Sequence, residues 1–167
     1  LYINKKSYFI KNLKLSTQIE FENLECAIAC CLALNINEKK IIKILSKITN
    51  PPGRFQKISY KNKKSTIIVD YAHTPDALKK ILLSFKSNKD KPSIVFGCGG
   101  ERDKNKRKIM GKVASSFAKN IYITDDNPRN EDPSKIRKDI LKHCPNGIEI
   151  ADRKKAIKQA IRNLGLN

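Results

Sequence analysis

Four short segments of this 167-residue chain gather reactive side chains. They are Asp70-Tyr71-Ala72-His73-Thr74-Pro75, Gly97-Cys98-Gly99-Gly100-Glu101-Arg102-Asp103-Lys104, Thr124-Asp125-Asp126-Asn127-Pro128-Arg129 and Ala151-Asp152-Arg153. Asp70 can accept from a ribose hydroxyl or hold a cation, and it can equally cap a helix. His73 can donate to a phosphate or move a proton near neutral pH; a structural role is the alternative. Gly97, Gly99 and Gly100 allow backbone N–H groups to face an anion ahead of a helix start. Glycines in this arrangement are common in strand–helix turns, and the Walker pattern is absent. Arg102, Lys104, Lys106, Arg107 and Lys108 follow at once. Cations at a helix N-terminus oppose its dipole, which favours an anionic partner over a merely solvated basic surface. Asp126 and Arg129 flank the stiff Pro128. Such a pair can grip a zwitterion, carboxylate to ammonium and guanidinium to carboxylate, or the two can pair with each other.

The elements that must position these groups follow from the apolar pattern. Ile67-Ile68-Val69, Ser93-Ile94-Val95-Phe96, Ile121-Tyr122-Ile123 and Ile148-Glu149-Ile150 are short runs whose centres lie about 27 residues apart. Helical stripes fill the gaps. The first is capped by Thr74, has Pro75 at its first position, and carries Leu78, Ile81, Leu82 and Phe85. The second carries Ile109, Val113 and Phe117, and the third Ile136, Ile140 and Leu141. A last helix carries Ala156, Ile157, Ala160, Ile161 and Leu164. Strands alternating with helices at this spacing predict an α/β fold, Rossmann-like, with an open, mostly parallel sheet. Ligands then sit at the carboxyl ends of the strands, where the four segments are expected to share one rim.

Ahead of this pattern, residues 1–20 are strand-like in patches. Residues 23–34 are rich in small side chains, as in a helix packed tightly on a sheet. A second helix is expected after an Asn37 cap, with Ile41, Ile42, Ile44, Leu45 and Ile48 as its stripe. Asn50-Pro51-Pro52-Gly53 then breaks the chain and marks a domain boundary, dividing 1–52 from 53–167.

The charge balance is +19, from 35 Lys plus Arg against 16 Asp plus Glu. Nucleic acid is the first partner such a balance brings to mind. Yet 28 of the cations are Lys and only 7 are Arg, beside 23 Ile and 15 Asn. That bias has the character of an AT-rich genome. With aromatics at 7% and no Trp, base-reading chemistry is poorly supplied. No apolar run approaches the roughly 18 residues of a membrane span. Cys26, Cys30, Cys31, Cys98 and Cys144 make no C-x-x-C pair and read as reduced, small apolar residues. The chain starts at Leu1 without an initiator Met and stops just after a helical stretch, so a piece of a longer protein is expected.

The motifs resemble one family in order and spacing. Pro52-Gly53-Arg54-Phe55, Val69-Asp70-Tyr71-Ala72-His73-Thr74-Pro75-Asp76-Ala77-Leu78, Val95-Phe96-Gly97-Cys98-Gly99-Gly100, Arg102-Asp103-Lys104, Lys106-Arg107, Met110-Gly111 and Thr124-Asp125-Asp126-Asn127-Pro128-Arg129 are similar to the Mur ligases, in particular the branch that adds meso-diaminopimelate. Asp-x-Ala-His-x-Pro would also suit folylpolyglutamate synthetases. Gly-Cys-Gly-Gly with Asp-Asn-Pro-Arg is more specific to the diaminopimelate branch. The resemblance implies that residues 1–52 are the tail of a P-loop-type central ATP-binding domain and 53–167 most of the carboxy-terminal domain. It implies that Asp126, Asn127, Pro128, Arg129 and Arg102 bind meso-diaminopimelate. Asn23 matches an adenine-side residue, and Arg54, Asp70 and His73 match positions near the ribose and phosphates. The implied reaction is ATP-dependent amide formation on UDP-MurNAc-L-Ala-D-Glu through an acyl phosphate, in the cytoplasm, by a monomer that binds neither nucleic acid nor membrane. The implied Mg2+ ligands, the Walker loop, the carbamylated lysine and a Gly-Lys-Gly-His-Glu motif all lie outside this chain, so the chain alone is expected to be inactive. Ile19-Glu20-Phe21-Glu22 departs from the family's usual Phe-Asn or Phe-Gln, and Glu101 stands where Asp is common. The alternatives are a related ligase for another amino acid, lysine-adding or folate-type, and a basic nucleic-acid-binding module.

Overall fold

The computed structural model describes residues 2, 3, 6–8, 10, 13, 15, 17–60, 65–85 and 91–164. Much of the 1–16 segment read as strand-like lies outside them. The chain forms two compact units, residues 1–71 and 72–167.

The first unit opens with a short antiparallel pair, β1 (Tyr2–Ile3) and β2 (Lys6–Ser7). Helix α1 (Gln18–Ala33) begins five residues before the predicted start. Thr17 explains the difference. Its hydroxyl accepts from Glu20 N–H, and the Glu20 carboxylate accepts from Thr17 N–H at 2.7 Å, a complete capping box. Helix α2 (Glu38–Leu45) begins at the expected Asn37 cap. Ile28 packs with Ile41 and Leu45 in a small core. The tight sheet packing expected for α1 is not seen among the described residues: Cys26, Ala27 and Cys30 are exposed. Strands β3 (Gln56–Tyr60) and β4 (Ser65–Val69) then form an antiparallel hairpin, Gln56 opposite Val69 and Tyr60 opposite Ser65.

That hairpin corrects the sequence reading. The run Ile67-Ile68-Val69 was expected to be the first strand of the parallel sheet, but it pairs with β3. The alternation that identifies β3, Lys57-Ile58-Ser59-Tyr60, is half polar and was not recognised as a strand.

The second unit starts with α3 (Pro75–Leu83), capped by Thr74 with Pro75 at the first turn as predicted. A three-stranded parallel sheet follows, in the order β5 (Ile94–Phe96), β6 (Ile121–Ile123), β7 (Gly147–Glu149). Helices α4 (Asn105–Phe117) and α5 (Pro133–Leu141) connect them, and α6 (Arg153–Arg162) follows β7. β6 is the central strand, and all three of its residues are buried. Ile121 and Ile123 point into the main core with Leu78, Leu82, Met110, Ala114 and Ile140. Tyr122 takes the opposite face, where its hydroxyl accepts from Asn163 Nδ2 at 2.8 Å. Period-two alternation on one buried strand thus requires helices on both faces.

The stripe of α4 is also corrected. Ile109 was expected inside and is 48% exposed, whereas Arg107, Met110, Gly111 and Ala114 are buried. Both stripes have helical spacing, and the small side chains win because α5 approaches closely. A Cβ on Gly111 would meet the Ile140 carbonyl oxygen at 2.7 Å. In α6, Ala156 is buried and Ile157 is half-exposed.

Two predictions follow from this packing. Gly111→Ala improves intrinsic helix propensity by about 1 kcal/mol, yet overpacking against α5 costs about 1–3 kcal/mol. The variant is expected to unfold at lower urea concentration, and a gain in stability would contradict the close approach. The second prediction concerns acid. Asp132 and Asp152 cap α5 and α6. Hydrogen bonds from Ser134 hold the Asp132 carboxyl below its ordinary 3.8, and the Lys155 N–H does the same for Asp152. Their folded values lie below the unfolded ones, so this stabilisation is complete above about pH 3.8 and is lost as pH falls through the lower folded values. Asp152→Asn keeps the cap. It is expected to leave stability near pH 7 almost unchanged and to make the acid limb of a pH–stability curve shallower.

Candidate functional site

In a parallel sheet the carboxyl ends of the strands share one edge. Here that edge carries Gly97 after β5, Thr124 after β6 and Ile150 after β7. The first two turns are in intimate contact. A Cβ on Gly97 would meet the Thr124 carbonyl oxygen at 2.2 Å, and one on Gly100 would meet the Pro128 carbonyl oxygen at 1.9 Å. Only glycine permits that approach. The predicted reason for these glycines was exposure of N–H groups to an anion. Among the described residues, Gly100 N–H instead donates to the Asn127 carbonyl at 2.9 Å, closing one loop on the other.

Side chains complete the lacing. Arg129 Nη1 donates to the Gly100 carbonyl at 2.6 Å, and Asn130 Nδ2 donates to Glu101 Oε1 at 2.8 Å. Glu101 N–H donates to Glu131 Oε1 at 2.5 Å. Glu101 and Arg129 both take left-handed backbone angles, φ 49° and 51°. For residues with a Cβ this costs about 1–2 kcal/mol each, and the cross-loop bonds hold them there. Strain of this kind concentrates at functional sites.

Asp126 and Arg129 do not pair with each other. Asp126 Oδ1 accepts from Asn127 N–H at 2.7 Å, and Oδ2 lies 3.5 Å from Arg153 Nη1. Arg153 also donates to the Asp125 carbonyl at 3.2 Å. So the third strand end does join the first two, through Arg153. Arg129 is exposed, and only its Nη1 is engaged by Gly100. Arg102 is exposed and makes no hydrogen bond or ion pair among the described residues. A shallow cleft lined by Cys98, Thr124, Asp125, Asp126, Pro128 and Arg137 lies beneath this edge. Burial pushes the Cys98 thiol up to about 11, so it stays protonated and serves as a wall.

Two buried arginines underlie the loop, and neither was picked out as such from sequence. Arg137 bridges Asp125 and Glu149, the latter at 2.7 Å. These hydrogen bonds, first that to Glu149, hold its guanidinium firmly charged. Arg107, 2% exposed, takes both oxygens of Glu131 at 2.9 Å and Asp139 at 3.2 Å. Arg107 was read as part of a solvated or ligand-facing basic run. Its anionic partner is internal. The signal was Glu131 two residues after Arg129, but local sequence does not show which carboxylate a cation will meet. The backbone N–H of Glu101, and then Arg107, hold the Glu131 carboxyl below its ordinary value.

The residues expected on the nucleotide side divide between the units. Asn23 is exposed on α1. Arg54 is exposed, with its guanidinium 4.5 Å from the Tyr71 ring centroid. Asp70 follows β4 and accepts from Phe55 N–H at 2.8 Å. Its carboxylate therefore fastens the turn at Phe55, which has φ 45°. His73 belongs to the second unit, is exposed, and its carbonyl lies 3.4 Å from Lys106 Nζ. Because β4 pairs with β3, the Asp70 segment does not end a strand of the parallel sheet, contrary to what the strand spacing predicted. Among the described residues, no group of three or more His, Cys, Asp or Glu side chains converges to hold a metal ion. Among the described residues, no helix is long and apolar enough to cross a membrane.

With this geometry in place, comparison with known proteins is specific. Residues 53–166 match the Mur ligase family, glutamate ligase domain. The chain is 52% identical over 130 residues to the UDP-N-acetylmuramoyl-L-alanyl-D-glutamate–2,6-diaminopimelate ligase of Rickettsia bellii, covering 75% of this chain and 27% of that protein. It is 41% identical over 169 residues to the ligase of the same name from Rickettsia felis, covering 98% and 31%. A solved structure of a ligase of that name superposes with a TM-score of 0.62 at 35% identity, covering 89% of this chain and 31% of the other. Folylpolyglutamate synthase from Mycobacterium tuberculosis, complexed with ADP and AMPPCP, shares the fold at a TM-score of 0.69 and 16% identity, covering 90% and 34%. The chain thus spans about a third or less of the length of these relatives. Its α/β fold with a parallel sheet, its motifs and its sequence identity agree, and the chain belongs to the Mur ligase family.

Proposed function

We propose that this chain is the amino-acid-binding part of an ATP-dependent ligase that joins meso-diaminopimelate to the D-glutamate of UDP-MurNAc-L-Ala-D-Glu, in the cytoplasm. The observation that carries this reading is the exposed pair Arg102 and Arg129 at the rim of two interlocked loops, with the Asp126 carboxylate nearby in sequence. Arg129 is oriented by the Gly100 carbonyl through one nitrogen, and its remaining donors have no other hydrogen-bond partner among the described residues. A guanidinium so oriented suits a carboxylate. Asp126, now 3.5 Å from Arg153, suits an ammonium. Diaminopimelate offers carboxylate and ammonium groups at both ends. The names of the Rickettsia relatives point to the same substrate.

In this reading the γ-phosphate of ATP activates the D-glutamate side-chain carboxylate as an acyl phosphate. The free amine of diaminopimelate attacks the acyl carbon, the C–O bond to phosphate breaks, phosphate leaves, and the ammonium proton is lost to solvent or base. The residues of this chain contribute positioning, which is a large share of the work in such transfers. Arg102, Asp126, Asn127, Pro128 and Arg129 hold the amino acid so that one amine faces the acyl phosphate. Asn23, Arg54, Asp70 and His73 are assigned to the nucleotide side by the same family resemblance. Magnesium would balance phosphate charge, but no described cluster in this chain suits it; its ligands are assigned to other parts of the protein. A lysine-adding relative would have no second carboxylate for Arg129, and a folate-type ligase would bring a different acceptor.

Arg129→Ala in the complete enzyme is expected to raise the KM for meso-diaminopimelate about 10- to 100-fold, the loss of a charge-assisted hydrogen-bonded contact. The KM for ATP should change less than about twofold. Steady-state kinetics with each substrate varied in turn would decide. Equal effects on both constants would contradict the assignment.

A further inference from the structure

Helix α4 is capped from one residue further out, where the Asp103 carboxylate accepts from Asn105 N–H at 2.9 Å. Its first turn carries no acidic residue, and Lys104 at the cap makes no side-chain capping bond. Arg107, in that first turn, is nevertheless buried to 2% exposure, and its Nε has no hydrogen-bond partner. A long apolar side chain would fill the same space without desolvating a charge. Core packing alone therefore does not account for an arginine here. What an apolar residue could not do is hold Glu131.

Glu131 is where the two loops meet. Both carboxylate oxygens accept from Arg107 Nη2 at 2.9 Å, and Oε1 also accepts from Glu101 N–H. One carboxylate thus ties helix α4 to the turn after β5 and to the loop after β6. Glu101 precedes Arg102 directly, and Glu131 follows Arg129 by two residues. Glu101 and Arg129 are the two left-handed residues of this edge. The Arg107–Glu131 pair therefore helps to fix, relative to each other, the two backbone segments that carry Arg102 and Arg129.

We infer that Arg107 and Glu131 are positioning residues for the amino-acid substrate: an ion pair between a buried arginine and a partly exposed carboxylate that helps fix the loops bearing the two exposed arginines and thereby selects an amino acid with carboxylates at both ends. This inference rests on the proposed function above. It adds two residues that touch no ligand and act through the loops.

The test uses the complete enzyme and three variants. Glu131→Gln keeps size and loses the charge. It is expected to raise the KM for meso-diaminopimelate roughly tenfold, within the range of coupled pairs, with the KM for ATP changed less than about twofold. Asp139→Asn weakens the same arginine from its other side, at 3.2 Å, without touching either loop. It is expected to lower the melting temperature and leave the KM for diaminopimelate unchanged. If Asp139→Asn raises that KM as much as Glu131→Gln does, or if Glu131→Gln moves the KM values for both substrates equally, the pair is merely structural and the inference is overturned. Should Glu131→Gln yield no folded protein, Glu131→Asp retains the charge with a shorter reach. It is then expected to show the raised KM for diaminopimelate at near-normal melting temperature, and an unchanged KM would overturn the inference. Failure of the unaltered enzyme to ligate diaminopimelate at all would instead overturn the functional reading.

Discussion

The arrangement of this edge depends on how closely two backbone turns approach. Gly97 and Gly100 lie so near Thr124 and Pro128 that any Cβ would collide with a carbonyl oxygen. The turn after β5 and the loop after β6 therefore behave as one body. Arg129 reaches back to Gly100, Asn130 reaches Glu101, and Glu101 N–H meets Glu131. Hydrogen bonds of this kind are each worth only about 1 kcal/mol net. Together they suffice to hold two left-handed residues in place, and a rigid edge is what substrate positioning needs.

Charge acts at two levels. The net +19 is spread mostly over exposed lysines, and says little about function. The informative cations are arginines. Arg107 and Arg137 are buried, and each is shared between two carboxylates. They brace the loop near its end and its beginning, at Glu131 and Asp125. Arg102 and Arg129 are exposed above it. The same residue type thus serves as framework below and as proposed ligand contact above, because the guanidinium can satisfy planar carboxylates in either setting. The carboxylate partners stay partly exposed, and their attraction and hydrogen bonds offset part of the cost of desolvating the two guanidinium groups.

Much of this was legible from sequence, for identifiable reasons. Thr74-Pro75 and Asn37 announced their helices through local chemistry that does not depend on the rest of the fold. Ile121-Tyr122-Ile123 was legible because a strand buried on both faces must be apolar throughout. The Asp-Asn-Pro-Arg and Gly-Cys-Gly-Gly segments were legible as motifs. Pairing was not. Ile67-Ile68-Val69 has the composition of an inner parallel strand, yet a half-polar neighbour claims it as a hairpin. The buried face of α4 was missed because Gly111 and Ala114 bury more effectively than Ile109 where α5 comes close. Arg107 was misread because burial of a charge depends on carboxylates distant in sequence, Glu131 and Asp139.

The central claim is that this edge selects an amino acid bearing carboxylates at both ends. A competition assay on the complete enzyme tests it most directly: UDP-MurNAc-L-Ala-D-Glu and ATP are supplied with equal concentrations of meso-diaminopimelate and L-lysine, and the products are resolved by mass. The account predicts product carrying diaminopimelate, with lysine incorporation lower by at least about a hundredfold, as expected when a buried or fixed guanidinium loses its carboxylate. Comparable incorporation of lysine would contradict it.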